Sequence, residues 1–258
     1  MSILLTEFDP APAIIEPASL IAPMDGFPRV AVGPFSGDLF HSIQQMPGVR
    51  QLTQIGCANG KTPVLSVPYQ GVEIAVFLAP VGASCCVGAL EELHALGAQS
   101  FLTFGSCGVL NRSIQDGGLI LPTSAFRDEG TSYHYAPPAD EIDLDPRGVA
   151  LLTQCAERLS LPYCCGKVWT TDAFYRETPG KMARRKAAGA IAVEMECAAL
   201  AACAAFRGFS FATFLYSADN LDAAAWDKRG LSRQGVHIRD QVLGLAFEAA
   251  LALDSLIR

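Results

Sequence analysis

Short apolar segments alternate with longer segments of helical character along most of the chain, and this alternation restricts the possible folds more than any other feature. Strands that alternate with helices predict an α/β fold whose sheet is covered by helices on both faces. The predicted strands lie at 29–32, 64–67, 72–78, 100–104, 118–121, 164–169, 191–193 and 211–216. The predicted helices lie at 84–97, 147–159, 197–206 and 232–257. The neighbouring segments 64–67 and 72–78 predict a hairpin.

The chain is expected to form one large domain. It has 258 residues, of which 50% are hydrophobic and 17% are charged, so it can bury a substantial core. Residues 1–28 are irregular and rich in proline, and we interpret them as an arm that lies on the body. Residues 29–258 contain neither an internal repeat nor a linker, and they are expected to form the functional domain.

Charge and cysteine usage exclude several classes of protein. The net charge of -7 argues against a nucleic-acid groove, which needs clustered cations. The basic cluster Lys181, Arg184, Arg185 and Lys186 predicts a solvated helix face instead. The chain has nine cysteines, none in a C-x-x-C spacing, so no metal site is expected. Without an export signal or a membrane-spanning run, the sequence predicts a cytoplasmic protein with reduced thiols and no membrane contact.

Several predicted strands run directly into glycine-rich or polar clusters, where ligands bind in α/β sheets. In the first cluster, Gly105 and Gly108 bracket Ser106 and Cys107. Such a turn can direct several backbone N–H groups at one anion, with the Ser106 hydroxyl as a further donor. The alternative is a tight turn that needs its glycines for backbone reasons only.

Two further clusters carry acids. Glu194 and Glu196 flank Met195 after an apolar strand, and a carboxylate can accept hydrogen bonds from two neighbouring hydroxyls. Glu196 could instead complement the N-terminus of the following helix. Asp219 follows the strand 211–216 and is placed to act as a general acid, or alternatively to form a turn or helix cap.

Aromatic and cationic groups mark two more loops. Phe174 and Tyr175 follow a predicted strand and could stack on a flat ligand, although core packing is the alternative for Phe174. The loop at 127–135 offers Arg127 and His134 as possible ligand contacts, and His134 could equally be a surface histidine.

Taken in order, these clusters resemble the nucleoside phosphorylase family, which includes uridine phosphorylases, hexameric purine nucleoside phosphorylases and methylthioadenosine nucleosidases. The most specific part is the sequence at 193–196, which is followed after a helix and a strand by the sequence at 217–219. The similarity runs from Arg29 to the C-terminal helix. It implies a single three-layer α/β domain with a mixed, partly barrel-like sheet, assembled as a homodimer or homohexamer.

The resemblance also implies roles for the residues of the clusters. Met195 and Glu196 would hold the ribose, Phe174 would stack on the base, and Asp219 would protonate a purine ring. The substrate-binding residues would be Ser106, Cys107, Gly108, Phe174, Tyr175, Arg176, Glu194, Met195 and Glu196. The phosphate-binding residues would be Gly33, Arg50, Ser106 and Arg127. A nucleoside and phosphate would be the substrates, with no cofactor beyond phosphate as co-substrate.

This sequence departs from the family pattern at the phosphate site. Gly37 and Thr103 stand where phosphorolytic members carry arginines. Each lost guanidinium removes charged hydrogen bonds that contribute about 1.5–3 kcal/mol. Arg50 could match a third arginine of the family, donated across a subunit interface, and Arg127 or Arg176 could replace the two that are lost. Alternatively, water could be the nucleophile, activated by an acid such as Asp38. A nucleoside-binding protein without turnover is a third possibility.

The choice of base stays open at this stage. Thr178 and Gly180 replace the residues with which uracil-specific members hold the base, while Asp219 favours purines. The sequences at 130–135 and 172–175 are closer to the uridine phosphorylases. Both a purine nucleoside and uridine are therefore possible substrates.

Overall fold

The predicted alternation of strands and helices is present. The computed structural model describes residues 2–58, 60–223, 225–233 and 235–257. The strands are β1 (Val30–Pro34), β2 (Arg50–Cys57), β3 (Gly60–Tyr69), β4 (Val72–Phe77), β5 (Ser100–Val109), β6 (Leu119–Asp128), β7 (Glu141–Asp143), β8 (Tyr163–Thr171), β9 (Ala190–Glu194) and β10 (Ser210–Asn220).

Helices connect most of these strands. They are α1 (Pro17–Leu20), α2 (Gly37–Gln44), α3 (Ala83–Leu96), α4 (Pro146–Arg158), α5 (Pro179–Ala187), α6 (Cys197–Arg207) and α7 (Arg239–Ile257). Single 3-10 turns lie at Ile3–Leu5, Thr131–His134, Phe174–Arg176, Leu231–Arg233 and Val236–Ile238.

Part of the sheet closes into a ring. Strand β10 is followed in the sheet by β6, β8, β9 and β5, and β5 also pairs with β10. The β5–β10, β6–β8 and β8–β9 ladders are parallel, whereas β10–β6 and β5–β9 are antiparallel. The predicted mixed, partly barrel-like sheet is therefore confirmed.

The sheet continues from β5 through β1, β4, β3 and β2 as an open extension. The predicted hairpin is formed by β3 and β4, and both turn residues have positive φ, 47° at Gln70 and 81° at Gly71. This is the type I′ geometry that matches the twist of two-residue hairpins. Strand β3 is longer than predicted and includes Pro63 and Pro68. Pro63 pairs only with β2 and Pro68 only with β4, so each proline lies where the strand has a neighbour on one side only.

Helices pack on both faces of the sheet and divide the core into layers. On one face, α3 and α6 contribute Val87, Leu90 and Ala199 to a large buried cluster. On the other face, α2, α4 and α7 contribute Leu39, Leu152 and further apolar residues to a second cluster. The three-layer arrangement leaves the ends of the ring strands as the place where polar groups can gather.

The C-terminal helix is shorter than its pattern predicts. The prediction of one helix from 232 to 257 was wrong at its start, because α7 begins at Arg239 and the preceding residues form 3-10 turns. Gly235 has φ 80°, which an α-helix cannot include. A Cβ atom at Gly235 would lie 2.7 Å from the Tyr216 hydroxyl, so the chain needs glycine at this close approach.

The N-terminal arm contacts the body at several points, although its boundary at residue 28 stays a prediction. Arg207 on α6 forms an ion pair with Glu16 at 2.7 Å, and the Met24 N–H donates to the Leu96 carbonyl at 3.0 Å. Among the helices that the structure describes, none is long and apolar enough to cross a membrane.

Candidate active site

A cavity of about 860 Å³ opens beside the last residues of β5, β9 and β10. The loop after β8 and the loop after β10 form its outer wall. Most of the residues predicted from the sequence line this one cavity: Ser106, Cys107, Gly108, Phe174, Tyr175, Glu194, Met195, Glu196 and Asp219. The fold thus brings together clusters that are more than 100 positions apart in the chain.

The register of the β5–β10 ladder places Asp219 beside the glycine-rich turn. Ser217 pairs with Cys107 and Asp219 pairs with Gly108, so Ala218 is an extra residue in β10. A Cβ atom at Gly108 would lie 2.5 Å from Leu221 Cδ1 and 3.1 Å from Asp219 Oδ1. The missing side chain at Gly108 therefore makes room for the Asp219 carboxyl group.

The environment of Asp219 suits a general acid. Burial raises the pKa of Asp219 above its ordinary value, while the Trp226 indole and the Arg229 guanidinium oppose this change. The Trp226 Nε1–H donates to Asp219 Oδ2 at 2.8 Å. A raised pKa increases the protonated fraction near neutral pH, which is the form that an acid catalyst uses.

Glu194 holds the connection between β9 and α6. Its carboxylate accepts from the Thr170 hydroxyl at 2.5 Å and from the N–H groups of Glu196 and Cys197, each at 2.7 Å. The Thr170 hydroxyl also accepts from the Ala198 N–H at 3.0 Å. Burial raises the pKa of Glu194, and these three donors, which occupy both of its oxygens, oppose that change. Glu194 borders the cavity, but its contacts are those of a residue that positions Glu196.

Glu196 is buried and does not cap the helix that follows it. It is the N-cap residue of α6, so it does lie at the helix N-terminus that the alternative named, but its side chain makes no capping bond there. Its Oε1 accepts instead from the Gly82 N–H at 2.5 Å, where the backbone has φ 99°. Burial, followed by the charge of Glu194, raises the pKa of Glu196. The group is thus a polar carboxyl directed at the cavity beside Met195.

The aromatic pair lies on the outer wall. Phe174 and Tyr175 belong to a 3-10 turn, their ring centroids are 4.1 Å apart, and they are 50% and 88% exposed. Core packing of Phe174, the alternative considered from the sequence, was therefore wrong. Two exposed aromatic rings at a cavity entrance provide a surface on which a flat ligand can stack.

The glycine-rich turn contributes a hydroxyl and a neutral thiol. Ser106 is exposed at the cavity, whereas Cys107 is buried and its Sγ lies 3.6 Å from the Tyr216 carbonyl oxygen. Burial raises the pKa of Cys107 well above its usual range. Because the thiolate is the nucleophilic form, Cys107 is not suited to covalent catalysis.

The described residues that line the cavity include no lysine, arginine or histidine. The structure places Arg127, predicted as a phosphate ligand, outside this lining. Its guanidinium donates to Ser132 Oγ at 2.8 Å and to the carbonyls of Pro137 and Ala136 at 2.7 and 3.2 Å. These bonds hold the 127–137 loop, so Arg127 is a structural group in this chain.

The other predicted phosphate and ligand contacts also lie off the cavity lining. Arg50 on β2 is 61% exposed and lies 3.6 Å from Glu73. A Cβ atom at Gly33 on β1 would lie 2.6 Å from the Phe77 ring, so tight packing explains this glycine. Arg176 and Asp38 are exposed. Within the described part of the chain, no group of His, Cys, Asp and Glu residues is arranged to hold a metal ion.

Sequence reasoning missed Glu177, Trp226 and Gly82. Glu177 and Trp226 line the cavity, and the Gly82 N–H binds Glu196. The position of Glu177 directly after the aromatic turn was an available clue, as was a tryptophan in a polar loop. The role of Gly82 depends on its contact with Glu196, 114 positions further along the chain, and no pattern in the sequence around Gly82 indicates it.

Comparison with known proteins shows the family to which the chain is similar. The family model described as the phosphorylase superfamily matches residues 30–240. The chain is 27% identical to a guanosine phosphorylase of Halorubrum lacusprofundi, over 60% of this chain and 65% of the relative. It is 36% identical to a uridine phosphorylase of Thermococcus kodakarensis, over 42% of this chain and 39% of the relative.

A longer match links the chain to a uridine phosphorylase of Treponema pallidum, with 31% identity over 67% of this chain and 69% of the relative. The matches to the first two relatives span less than two thirds of those proteins' own length. The family model, in contrast, covers β1 through the start of α7. The chain therefore belongs to the phosphorylase superfamily.

Proposed function

We propose that this protein cleaves the N-glycosidic bond of a purine or uracil nucleoside with phosphate, giving the free base and ribose 1-phosphate. The observation that carries the proposal is that the buried Glu196 and the half-buried Asp219 converge on one cavity with an aromatic wall. Three relatives with phosphorylase names support the same reaction class.

Asp219 would act on the leaving base. Cleavage of the glycosidic bond leaves negative charge on the base, and a proton from Asp219 lowers the energy of that transition state. The aromatic rings of Phe174 and Tyr175 would hold the base in place while the bond breaks. Both rings border the cavity on its open side, where the base can enter without moving the core.

Glu196 would hold the sugar. Its Oε1 already accepts from the Gly82 N–H, and its buried carboxyl group can bond further to ribose hydroxyls. Met195 supplies an apolar contact next to it. Bonds to the sugar that strengthen as positive charge develops on the ring would contribute to catalysis and not only to binding.

Phosphate, the second substrate, would bind beside the glycine-rich turn. Ser106 and the backbone N–H groups of its turn could bind phosphate, but no described lining residue brings a positive charge. Arg50 of a neighbouring copy in a homodimer or homohexamer is our proposal for the missing cation. The same observation favours a second candidate function, hydrolysis, in which water replaces phosphate. Nucleoside binding without turnover is the remaining alternative.

The test is release of base from a panel of purine and pyrimidine nucleosides, with and without phosphate, together with detection of ribose 1-phosphate. Release that requires phosphate supports phosphorolysis, and equal release in its absence supports hydrolysis. Asp219→Asn should abolish either activity, while Asp240→Asn, a matched exchange at an aspartate that is 93% exposed, should leave it unchanged. Tight binding of a nucleoside without release of base would overturn both enzymatic functions.

A further inference from the structure

The loop that follows β10 carries part of the outer wall of the cavity and has a single charged residue. Residues 221–226 supply four members of the lining, which are Leu221, Ala223, Ala225 and Trp226. Asp222 is the only charged residue of this loop. The Trp226 side chain is 64% exposed, so packing against the core contributes little to its position beside Asp219. That position depends on the bonds that fix the loop.

Asp222 joins this loop to two other elements. Its Oδ1 accepts from Lys186 Nζ on α5 at 2.5 Å, and its Oδ2 accepts from the Arg112 N–H after β5 at 3.2 Å. Only 15% of its side chain is exposed, and the hydrogen bond from Lys186 lowers the pKa of Asp222. Its carboxyl group is thus ionised at neutral pH, and each of its oxygens has a partner outside the loop.

The base of the loop and its partner helix are fixed as well. Asn220 and Asp227 exchange two backbone hydrogen bonds, at 2.8 and 3.2 Å, so the loop is closed where it leaves the sheet. Helix α5 is held to the body by an ion pair between Lys181 and Asp128 at 3.0 Å. Asp222 therefore connects a closed loop to a helix that is itself anchored.

We propose that Asp222 is a positioning residue for Asp219: it holds the loop 221–226 against α5 and the end of β5, and so keeps the Trp226 indole N–H on the Asp219 carboxyl group. This inference rests on the proposed function, in which Asp219 is the general acid. The Trp226 N–H donates to Asp219 Oδ2 at 2.8 Å and opposes the effect of burial on its pKa. A loop released by the loss of Asp222 would form this bond for less of the time, so Asp219 would be harder to ionise.

The direction of the resulting change separates positioning from a direct effect of charge. Removal of the negative charge of Asp222 favours the ionised form of Asp219 and by itself lowers the pKa of that acid. Loss of the Trp226 bond raises the same pKa. The charged groups that act on Asp219 and stay in place when Asp222 is exchanged are Glu177, Asp227 and Arg229. A pKa of Asp219 that rises in an Asp222 variant is therefore the signature of positioning.

The first experiment measures the pH profile of kcat/KM in Asp222→Ala. We expect its alkaline limb to move to higher pH by about 0.3–1 pH unit, because a hydrogen bond to the ionised acid is weakened. Asp222→Asn keeps an oxygen acceptor for the Arg112 N–H but loses the charge that binds Lys186, so it should give a smaller movement in the same direction. Asp240→Ala, at an aspartate whose side chain is 93% exposed, is the matched control and should keep the wild-type profile. A limb that stays in place or moves to lower pH in Asp222→Ala overturns the inference.

A double variant tests whether Asp222 acts through Trp226. In a Trp226→Phe background the bond to Asp219 is already lost, so Asp222→Ala should no longer move the alkaline limb to higher pH. An equal movement in both backgrounds overturns the inference, because Asp222 would then act on Asp219 by another route.

A measurement without substrate separates this inference from the proposed function. The chain has two tryptophans, so labelling with 5-fluorotryptophan gives two fluorine NMR signals, and the signal that is lost in Trp226→Phe belongs to Trp226. We expect this signal to titrate with Asp219, at a midpoint that is higher in Asp222→Ala than in the wild type. If no nucleoside releases its base, the proposed function fails, but this titration still tests how Trp226 is held. Equal midpoints in the two proteins overturn the inference, even if both cleave nucleosides rapidly.

Discussion

The inner wall of the cavity, formed by the ends of the strands, differs from the outer wall, formed by the loops. On the inner wall Glu194 and Glu196 are buried, and each carboxyl group accepts at least one hydrogen bond from the protein. On the outer wall Phe174, Tyr175 and Trp226 are at least 50% exposed. The group that we assign to sugar binding, Glu196, is thus fixed in advance, whereas the rings of Phe174 and Tyr175 that we assign to the base lie on surface that a ligand would cover.

This difference separates two effects that substitutions can have. A change on the inner wall breaks contacts within the protein, so it should alter stability or the catalytic step. A change on the outer wall removes few internal contacts, so it should alter substrate affinity and leave folding intact. Substitutions in each wall can therefore test whether the inner wall acts on stability and catalysis and the outer wall on substrate affinity.

The largest effect is expected for Asp219→Ala on the inner wall. Loss of general acid catalysis should lower kcat/KM for release of the base by about 100- to 10,000-fold. Steady-state assays with the best substrate of the wild type measure this loss, and thermal unfolding confirms that the variant is folded. A decrease of less than about threefold would mean that Asp219 does not protonate the base.

A large loss of stability is expected for Glu194→Ala. Removing this carboxylate leaves the Thr170 hydroxyl and two backbone N–H groups without their acceptor, so the free energy of unfolding should fall by about 2–4 kcal/mol. Urea unfolding measures the change, and Glu157→Ala, at an exposed position of α4, should shift it by less than about 0.5 kcal/mol. Unchanged stability in Glu194→Ala would contradict the role of Glu194 in positioning the turn.

A change of affinity alone is expected for Phe174→Ala. Loss of the stacking surface should raise KM about tenfold, equivalent to about 1.4 kcal/mol, because the ring is half exposed and contributes little to the core. Thermal unfolding should match that of the wild type. A strong loss of stability with unchanged KM would place Phe174 with the structural residues of the inner wall.

The smallest effect is expected for Trp226→Phe. The indole N–H stabilises the ionised form of Asp219, so its removal should raise the pKa of Asp219 further. An acid catalyst loses activity as pH rises through its pKa, and the alkaline limb of the rate profile should therefore move to higher pH. The change in kcat/KM at neutral pH should be only a few-fold. An alkaline limb that moves to lower pH would show that Trp226 does not act through Asp219.

Local patterns predicted most elements of the fold and most of the cavity, but they did not predict β2, β7 or α2. Apolar runs marked the ring strands, and polar clusters directly after them supplied Ser106, Glu196 and Asp219. The division of labour between Glu194 and Glu196 was not predictable, since it depends on donors from Thr170 and Gly82 in other elements. Two carboxylates that look equivalent in the sequence have different surroundings in the fold.

The cationic residues were the least predictable part of the site. Arg127 lies in a polar aromatic loop, as a ligand-binding arginine often does, but its guanidinium bonds to the loop's own carbonyls. Glu177 was missed for the opposite reason, because an acid in a polar segment is usually solvated. In both cases the role of the side chain depends on residues from distant segments that surround it in the fold. A sequence pattern within one segment gives no information about those residues.

The extra residue Ala218 in β10 decides which side chain stands opposite Gly108. If the ladder continued regularly from the Ser217–Cys107 pair, Ala218 would stand opposite Gly108, and Asp219 would stand opposite Val109 on the other face of the strand. The bulge therefore turns Asp219 to the face where Gly108 leaves room for its carboxyl group. In comparisons of related chains, an acid aligned with Asp219 is equivalent to it only where the ladder has the same irregularity, so the identity of this residue does not by itself place a carboxyl group in the cavity.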